Sequence, residues 1–137
     1  MGKNNHGFTL IELIVTITII GILAGIGIYT NYAHSLKRAR DGRRKADLEQ
    51  IRSALEMCRA DTGSYPTSIY NDITCGGQTY LNGTPKDPVT QDSYYYSRSD
   101  ANHYTLCAYL EASGIPGSCG SANCGSGRTC NYKVTNP

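Results

Sequence analysis

The first place where this chain could do chemistry is a carboxylate in surroundings that make a carboxylate costly. Glu12 is the one formal charge in a run that opens Gly7-Phe8-Thr9-Leu10-Ile11-Glu12-Leu13 and stays apolar to Tyr29. A charged carboxylate inside a bilayer costs about 2.5 to 3.5 kcal/mol on insertion scales, so it calls for a cation or a task. The sequence holds no Lys, Arg or His between Gly7 and His34. A cut after Gly7 would create an amine at Phe8. An amine and a carboxylate on the same terminal turn align poorly, so the better partner is the amine of a neighbouring molecule. Glu12 therefore reads as an assembly device.

The second chemical set is Cys58, Cys75, Cys107, Cys119, Cys124 and Cys130, all beyond the apolar run. Cysteines confined to one side of a membrane segment point to an oxidising compartment and to disulfides. The connectivity is open; the one pair expected is Cys58 with Cys75, tying a helix end to the following loop. A zinc centre is disfavoured, because there is no Cys-x-x-Cys and His103 is the only histidine late in the chain. Catalysis finds no support either. His103 and Asp100 with nearby serines suggest a triad only superficially, since they fall in a polar turn between strands. No glycine-rich stretch has phosphate-cradle spacing. Asn82-Gly83-Thr84 fits a glycosylation sequon but reads first as a turn. No enzyme, cofactor or metal is expected.

Those groups must be carried by a long helix and a small head. The run of about 22 apolar residues exceeds the 7 to 15 of a signal-peptide core and matches the roughly 20 needed to span a bilayer. A plain anchor would have that length, but it would explain neither Glu12 nor the Gly7-Phe8 junction. Helix is expected from about Phe8 to Ala60, since backbone groups in lipid must be satisfied internally; such a helix would run about 80 Å. Gly21, Gly25 and Gly27 loosen it, or Gly21-x-x-x-Gly25 forms a small-residue packing face.

Beyond Asn31 the helix becomes charged, with Asp41, Lys45 and Glu49 at i, i+4 spacing. Leu48, Ile51, Leu55 and Cys58 form an apolar stripe for packing a head, while residues 31–47 show no comparable stripe and are expected to be exposed. Gly63 and Pro66 end the helix. Asn71 to Gly83 reads as a polar loop. Strands are expected at Ser93–Ser97, Tyr104–Glu111 and Tyr132–Thr135, the last lying against Tyr104–Glu111. With 137 residues in all, the head of about 75 residues is small enough to need covalent staples. The fold class expected is α+β, with a long N-terminal helix packed on a small antiparallel sheet. The divisions are 1–7, 8–30, 31–62 and 63–137.

Two surface features have partner readings. Lys37, Arg38, Arg40, Arg43, Arg44 and Lys45 crowd one stretch although the net charge is only +2. They could attract nucleic acid through phosphates, but a solvated or filament-lining helix face is preferred. The eleven tyrosines, with one Phe and no Trp, suggest a polar aromatic head; sheet packing and subunit contacts are preferred over glycan binding.

Residues Met1 to Tyr29 resemble the leader and N-terminal helix of type IV pilins and of type II secretion pseudopilins. The resemblance rests on Gly7 before the cut, Phe8 as the new, N-methylated first residue, and Glu12 at the position of the assembly carboxylate. It implies cleavage by a prepilin peptidase on the cytoplasmic side and passage through an inner-membrane assembly platform. It also implies a single-pass membrane protein with its N-terminus in the cytoplasm before assembly, then a helical homopolymer at the bacterial surface. Many pilins carry a proline in the apolar helix, and this chain has none. Some pseudopilins bind calcium near an Asp-Pro-Trp-Gly-type motif; here Asp87-Pro88-Val89-Thr90 keeps two of those residues, and Asp92 and Asp100 form no distinctive ligand set. The basic cluster, by the positive-inside rule, would keep the C-terminus in the cytoplasm; the cysteines and the leader outweigh it, because a dedicated export route overrides charge bias. The expected function is the structural subunit of a type IV pilus filament. The alternatives are a pseudopilin of a secretion or DNA-uptake system, or a membrane-anchored binding protein that does not polymerise.

Overall fold

The computed structural model describes residues 7–136, so the expected leader up to His6 lies outside the described residues. Helix α1, Leu10–Thr62, is followed by strands β1 (Ile73–Cys75), β2 (Gln78–Leu81), β3 (Tyr95–Asp100), β4 (His103–Ala108) and β5 (Tyr132–Thr135). The α+β expectation holds, with a helix start two residues later and an end two residues later than the sequence suggested. The chain divides into two compact units, one up to Leu36 and one from Lys37 onward.

In the first unit the β-branched residues that lower helix propensity in water sit in a stretch long and apolar enough to cross a membrane. Thr16 and Thr18 turn their hydroxyls back onto the Leu13 and Val15 carbonyls at 2.9 and 2.7 Å, so neither presents an unsatisfied hydroxyl outward. Among the described residues of this unit the large apolar side chains are uncovered: Leu10 is 76% and Ile20 64% exposed.

In the second unit, Leu48, Ile51, Leu55 and Cys58 of α1 are fully buried against Tyr96, Tyr104, Leu106, Ala108 and Val134 of the sheet. This is the stripe read from the sequence. It begins earlier than expected, however, because Asp41 and Arg44 continue it and are buried as well. Four tyrosines, Tyr65, Tyr94, Tyr96 and Tyr104, also lie in this core. Their rings fill space while their phenols reach polar partners: Tyr94 donates to Asp47 at 2.7 Å, Tyr96 to the Pro66 carbonyl at 2.6 Å, and Tyr65 to Glu56 at 3.0 Å. Those tyrosines are therefore core residues whose hydroxyls are satisfied by protein groups.

Gly63, at φ +76°, closes α1 in the left-handed conformation that favours glycine, with its N–H on the Arg59 carbonyl at 2.8 Å. The stretch expected as a polar loop from Asn71 to Gly83 is instead a hairpin. β1 pairs with β2 through the two-residue turn Gly76-Gly77, both at positive φ, the geometry that two-residue hairpin turns require. Ile73, fully buried, anchors it to the main core.

The second sheet has the order β3-β4-β5, all antiparallel. Tyr96, Leu106 and Val134 align across it on the core face. Cys107 faces the other way, into a small cluster with Cys124 and Cys130, flanked by Tyr95, Tyr109 and Cys119. Disulfides join Cys58 to Cys75, Cys107 to Cys119 and Cys124 to Cys130. β4 ends at Ala108, short of the expected Glu111. There the Asn131 side chain takes over the Leu110 backbone groups, at 2.6 Å to its N–H and 2.9 Å to its carbonyl.

Candidate functional site

The N-terminal candidates fall on the first turn of α1. Gly7 and Phe8 are non-helical, with Phe8 87% exposed. Thr9 caps the helix. Its N–H and hydroxyl both donate to Glu12 Oε2, at 3.0 and 2.8 Å, and its Oγ1 accepts from the Glu12 N–H at 3.3 Å. This reciprocal arrangement is a capping box, and it satisfies helix-terminal N–H groups that would otherwise be orphaned. Glu12 thus has a local partner, Thr9, that is not a cation. The signal was present in Thr9-Leu10-Ile11-Glu12, a Thr-x-x-Glu spacing. The box engages Oε2, while Oε1 carries no hydrogen bond among the described residues. One carboxylate oxygen therefore orients the side chain and the other remains open to a cation.

The second cluster was not foreseen. Arg44 is buried, with none of its side chain exposed, and it is the meeting point of three carboxylates. Its Nε and Nη2 donate to the two oxygens of Asp87 at 2.7 and 3.2 Å, and Nη1 donates to Asp41 at 3.0 Å and to Glu111 at 2.9 Å. Arg40 forks onto both Glu111 oxygens at 2.8 and 2.6 Å. The remaining carboxylate capacity is taken by backbone. Asp41 accepts from the Glu111 and Ala112 N–H groups, and Asp87 from those of Val89 and Thr90. Bidentate guanidinium–carboxylate pairs of this kind are strong and directional. The network pins the loops around Asp87 and Glu111 to one helix face.

This arrangement corrects the sequence reading at two points. Residues 31–47 are not uniformly exposed, and Asp41 is paired with Arg44 at i, i+3 instead of Lys45 at i, i+4. Lys45 lies over the Tyr132 ring at 5.3 Å. Of the six clustered cations, Arg40 and Arg44 are therefore neutralised, and Lys37, Arg38 and Arg43 are the exposed ones. That halves the basic surface a nucleic acid could meet. Asp87 is committed to Arg44, and among the described residues no group of three or more His, Cys, Asp or Glu side chains is arranged to hold a metal ion.

At the β3–β4 turn, His103 Nδ1 lies 2.8 Å from Asp100, and both are exposed. Ser99 directs its hydroxyl to the His103 backbone carbonyl, not to the ring, so no nucleophile is activated there.

The ion network sets an acid limit on stability. Arg40's hydrogen bonds hold the Glu111 carboxyl down to about 2, against burial, with Arg44 adding to the effect. Burial pushes Asp87 up, but Arg44 and the Thr90 and Val89 amides outweigh it and leave Asp87 low. A carboxyl whose pKa is depressed by folding contributes stability above its unfolded value, about 4.3 for Glu, and loses it as pH falls through the folded value. The thermal midpoint of the second unit is expected to be flat above about pH 5 and to fall between roughly pH 4.5 and 2. Glu111→Gln should flatten that fall while lowering the midpoint at pH 7. Calorimetric scans at stepped pH check this, and a midpoint unchanged from pH 5 to 2 counts against it.

Comparison with known proteins bears on the family of the chain. Residues 2–28 match the prokaryotic N-terminal methylation motif, and residues 31–123 match the type II secretion system protein G family. The chain is 30% identical over 112 residues to a type II secretion system core protein G of Vibrio cholerae serotype O1, a match covering 72% of this chain and 75% of that protein. A type IV major fimbrial protein FimA of Dichelobacter nodosus is 46% identical over 103 residues, covering 66% of this chain and 63% of that protein. A core protein G of Dickeya chrysanthemi is 30% identical over 96 residues, with 69% and 60% covered. No solved structure matches the chain. An apolar helix opened by a methylation motif, leading into a disulfide-stapled α+β head, places this chain in the pilin and pseudopilin family of filament subunits.

Proposed function

We propose that the chain is cut between Gly7 and Phe8 by a prepilin peptidase, methylated on the Phe8 amine, and assembled as the structural subunit of an extracellular type IV pilus filament. The observation that carries this is the uncovered apolar part of α1, with large side chains exposed from Leu10 to Ile26 and Glu12 as the one charge among them. Such a surface needs either lipid or other copies of itself. In the membrane, before assembly, lipid covers it; on extraction through an assembly platform, neighbouring helices do so and offset the transfer. Glu12 then sets axial register by pairing its open oxygen with the Phe8 amine of an adjacent subunit, while the head faces solvent on the oxidising side. The family's members are structural subunits, and the reading involves no catalysis.

Mass spectrometry of filament-associated protein should find a chain beginning at Phe8 with one added methyl group. Retention of Met1 to Gly7 in assembled material would contradict the proposal.

The match of residues 31–123 to protein G favours a second reading, a subunit of a secretion pseudopilus. Long fibres sheared from cells at native expression support the pilus. Their absence, together with loss of protein export on deleting the chain, supports the pseudopilus.

A further inference from the structure

Two open depressions on the second unit meet at Arg98 and Thr67. One, of about 360 Å³, is completed by Ser99 and Asp100. The other, of about 330 Å³, reaches Ser64 after α1 and Thr74 on the β1 hairpin. Each falls at the lower end of the range of small-molecule sites. Arg98 stands between them, half-buried, with its Nε donating to the Asp100 carbonyl at 2.9 Å. That bond holds the guanidinium in place while its two Nη atoms have no partner among the described residues. Arg40 and Arg44 are engaged bidentately by carboxylates, and Arg59 and Arg128 lie over tyrosine rings at 5.2 Å. Arg98 is thus a positioned fork with its bidentate end open. The hydroxyls of Ser64 and Thr67 beside it likewise make no hydrogen bond among the described residues.

A free guanidinium fork matches a carboxylate. The Asp100 carboxylate, held by His103 and the Asn102 N–H, disfavours a dianion such as phosphate but can still accept a hydroxyl. The first depression is lined by hydroxyl-bearing and charged residues, and the second adds Tyr65, Pro66 and Cys75, an apolar patch that the C–H face of a sugar ring can cover. We propose that this groove binds a uronic-acid-type saccharide. The sugar carboxylate takes the Arg98 fork, and ring hydroxyls take Ser64, Thr67 and Asp100. The site lies wholly within the second unit and does not depend on assembly.

The test is calorimetric titration of the full chain in detergent micelles with a three-ring oligoglucuronate, alongside its carboxyl-reduced, neutral form. Saturable binding of the acidic oligomer is expected, at least about tenfold weaker for Arg98→Gln and several-fold weaker for Thr67→Val. Arg98→Lys, which keeps the charge but not the fork, should fall between wild type and Arg98→Gln. Unshifted melting temperatures establish that the variants are folded. Absence of saturation, equal affinity for the neutral oligomer, undiminished binding by folded Arg98→Gln, or tighter binding of a tripeptide carboxylate would each overturn the assignment.

Discussion

Glu12→Val is expected to insert into the membrane normally and to yield no filaments. The apolar run is made more apolar, so insertion is favoured. What disappears is the charge proposed to pair with a neighbour's Phe8 amine, once for every subunit added. Because the structure gives Glu12 a second task in the capping box with Thr9, the valine variant by itself confounds two losses. Glu12→Gln separates them. A glutamine at this position still accepts from Thr9 and completes a capping box, but it carries no charge. Capping is worth about 0.5 to 2 kcal/mol of helix stability, and that contribution survives in Glu12→Gln. Each loss of about 1.4 kcal/mol per contact lowers an association constant tenfold, and a polymer incurs it at every joint. Sheared-fibre yield should therefore drop by at least about tenfold in both variants, with membrane-fraction levels unchanged. Normal fibres from Glu12→Gln would reassign the residue to capping alone.

Arg44→Met is expected to cost the second unit about 3 to 5 kcal/mol, the usual consequence of removing one partner from a buried ionic set. The methionine roughly fills the stem's volume, so the loss is electrostatic. Asp41, Asp87 and Glu111 would keep their backbone and Arg40 bonds while three carboxylates converge with one guanidinium gone. The loops around Asp87 and Glu111 should loosen first, since that network pins both to α1. Arg43→Met, one position away and exposed, should lie within about 0.5 kcal/mol of wild type, as surface substitutions usually do. Urea unfolding of the disulfide-intact chain measures both. Equal midpoints for the two variants would remove Arg44 from any structural role.

Much of this protein was legible along the chain, and the reason is local. The apolar part of α1 and the stripe Leu48-Ile51-Leu55-Cys58 follow from helical spacing, the end of α1 from Gly63, and β5 with its partner from alternating apolar residues. Asn71–Gly83 is polar enough to read as loop, yet Gly76-Gly77 supplies the two-residue turn that lets its short strands pair. Sheet packing, the preferred reading of the tyrosines, holds for Tyr94, Tyr96 and Tyr104, whose rings lie in the core.

By itself the sequence determined the long helix, the α+β layout and the processing motif with its lone acid in an apolar run, because those are written in periodicities and in neighbours within a turn or two. Only the tertiary structure decided which members of the basic cluster are surface and which are core. Arg44 finds Asp87 and Glu111 at separations of 43 and 67 residues. No local pattern can announce a partner that distant, and a buried guanidinium is tolerable only after the fold has brought its carboxylates to it.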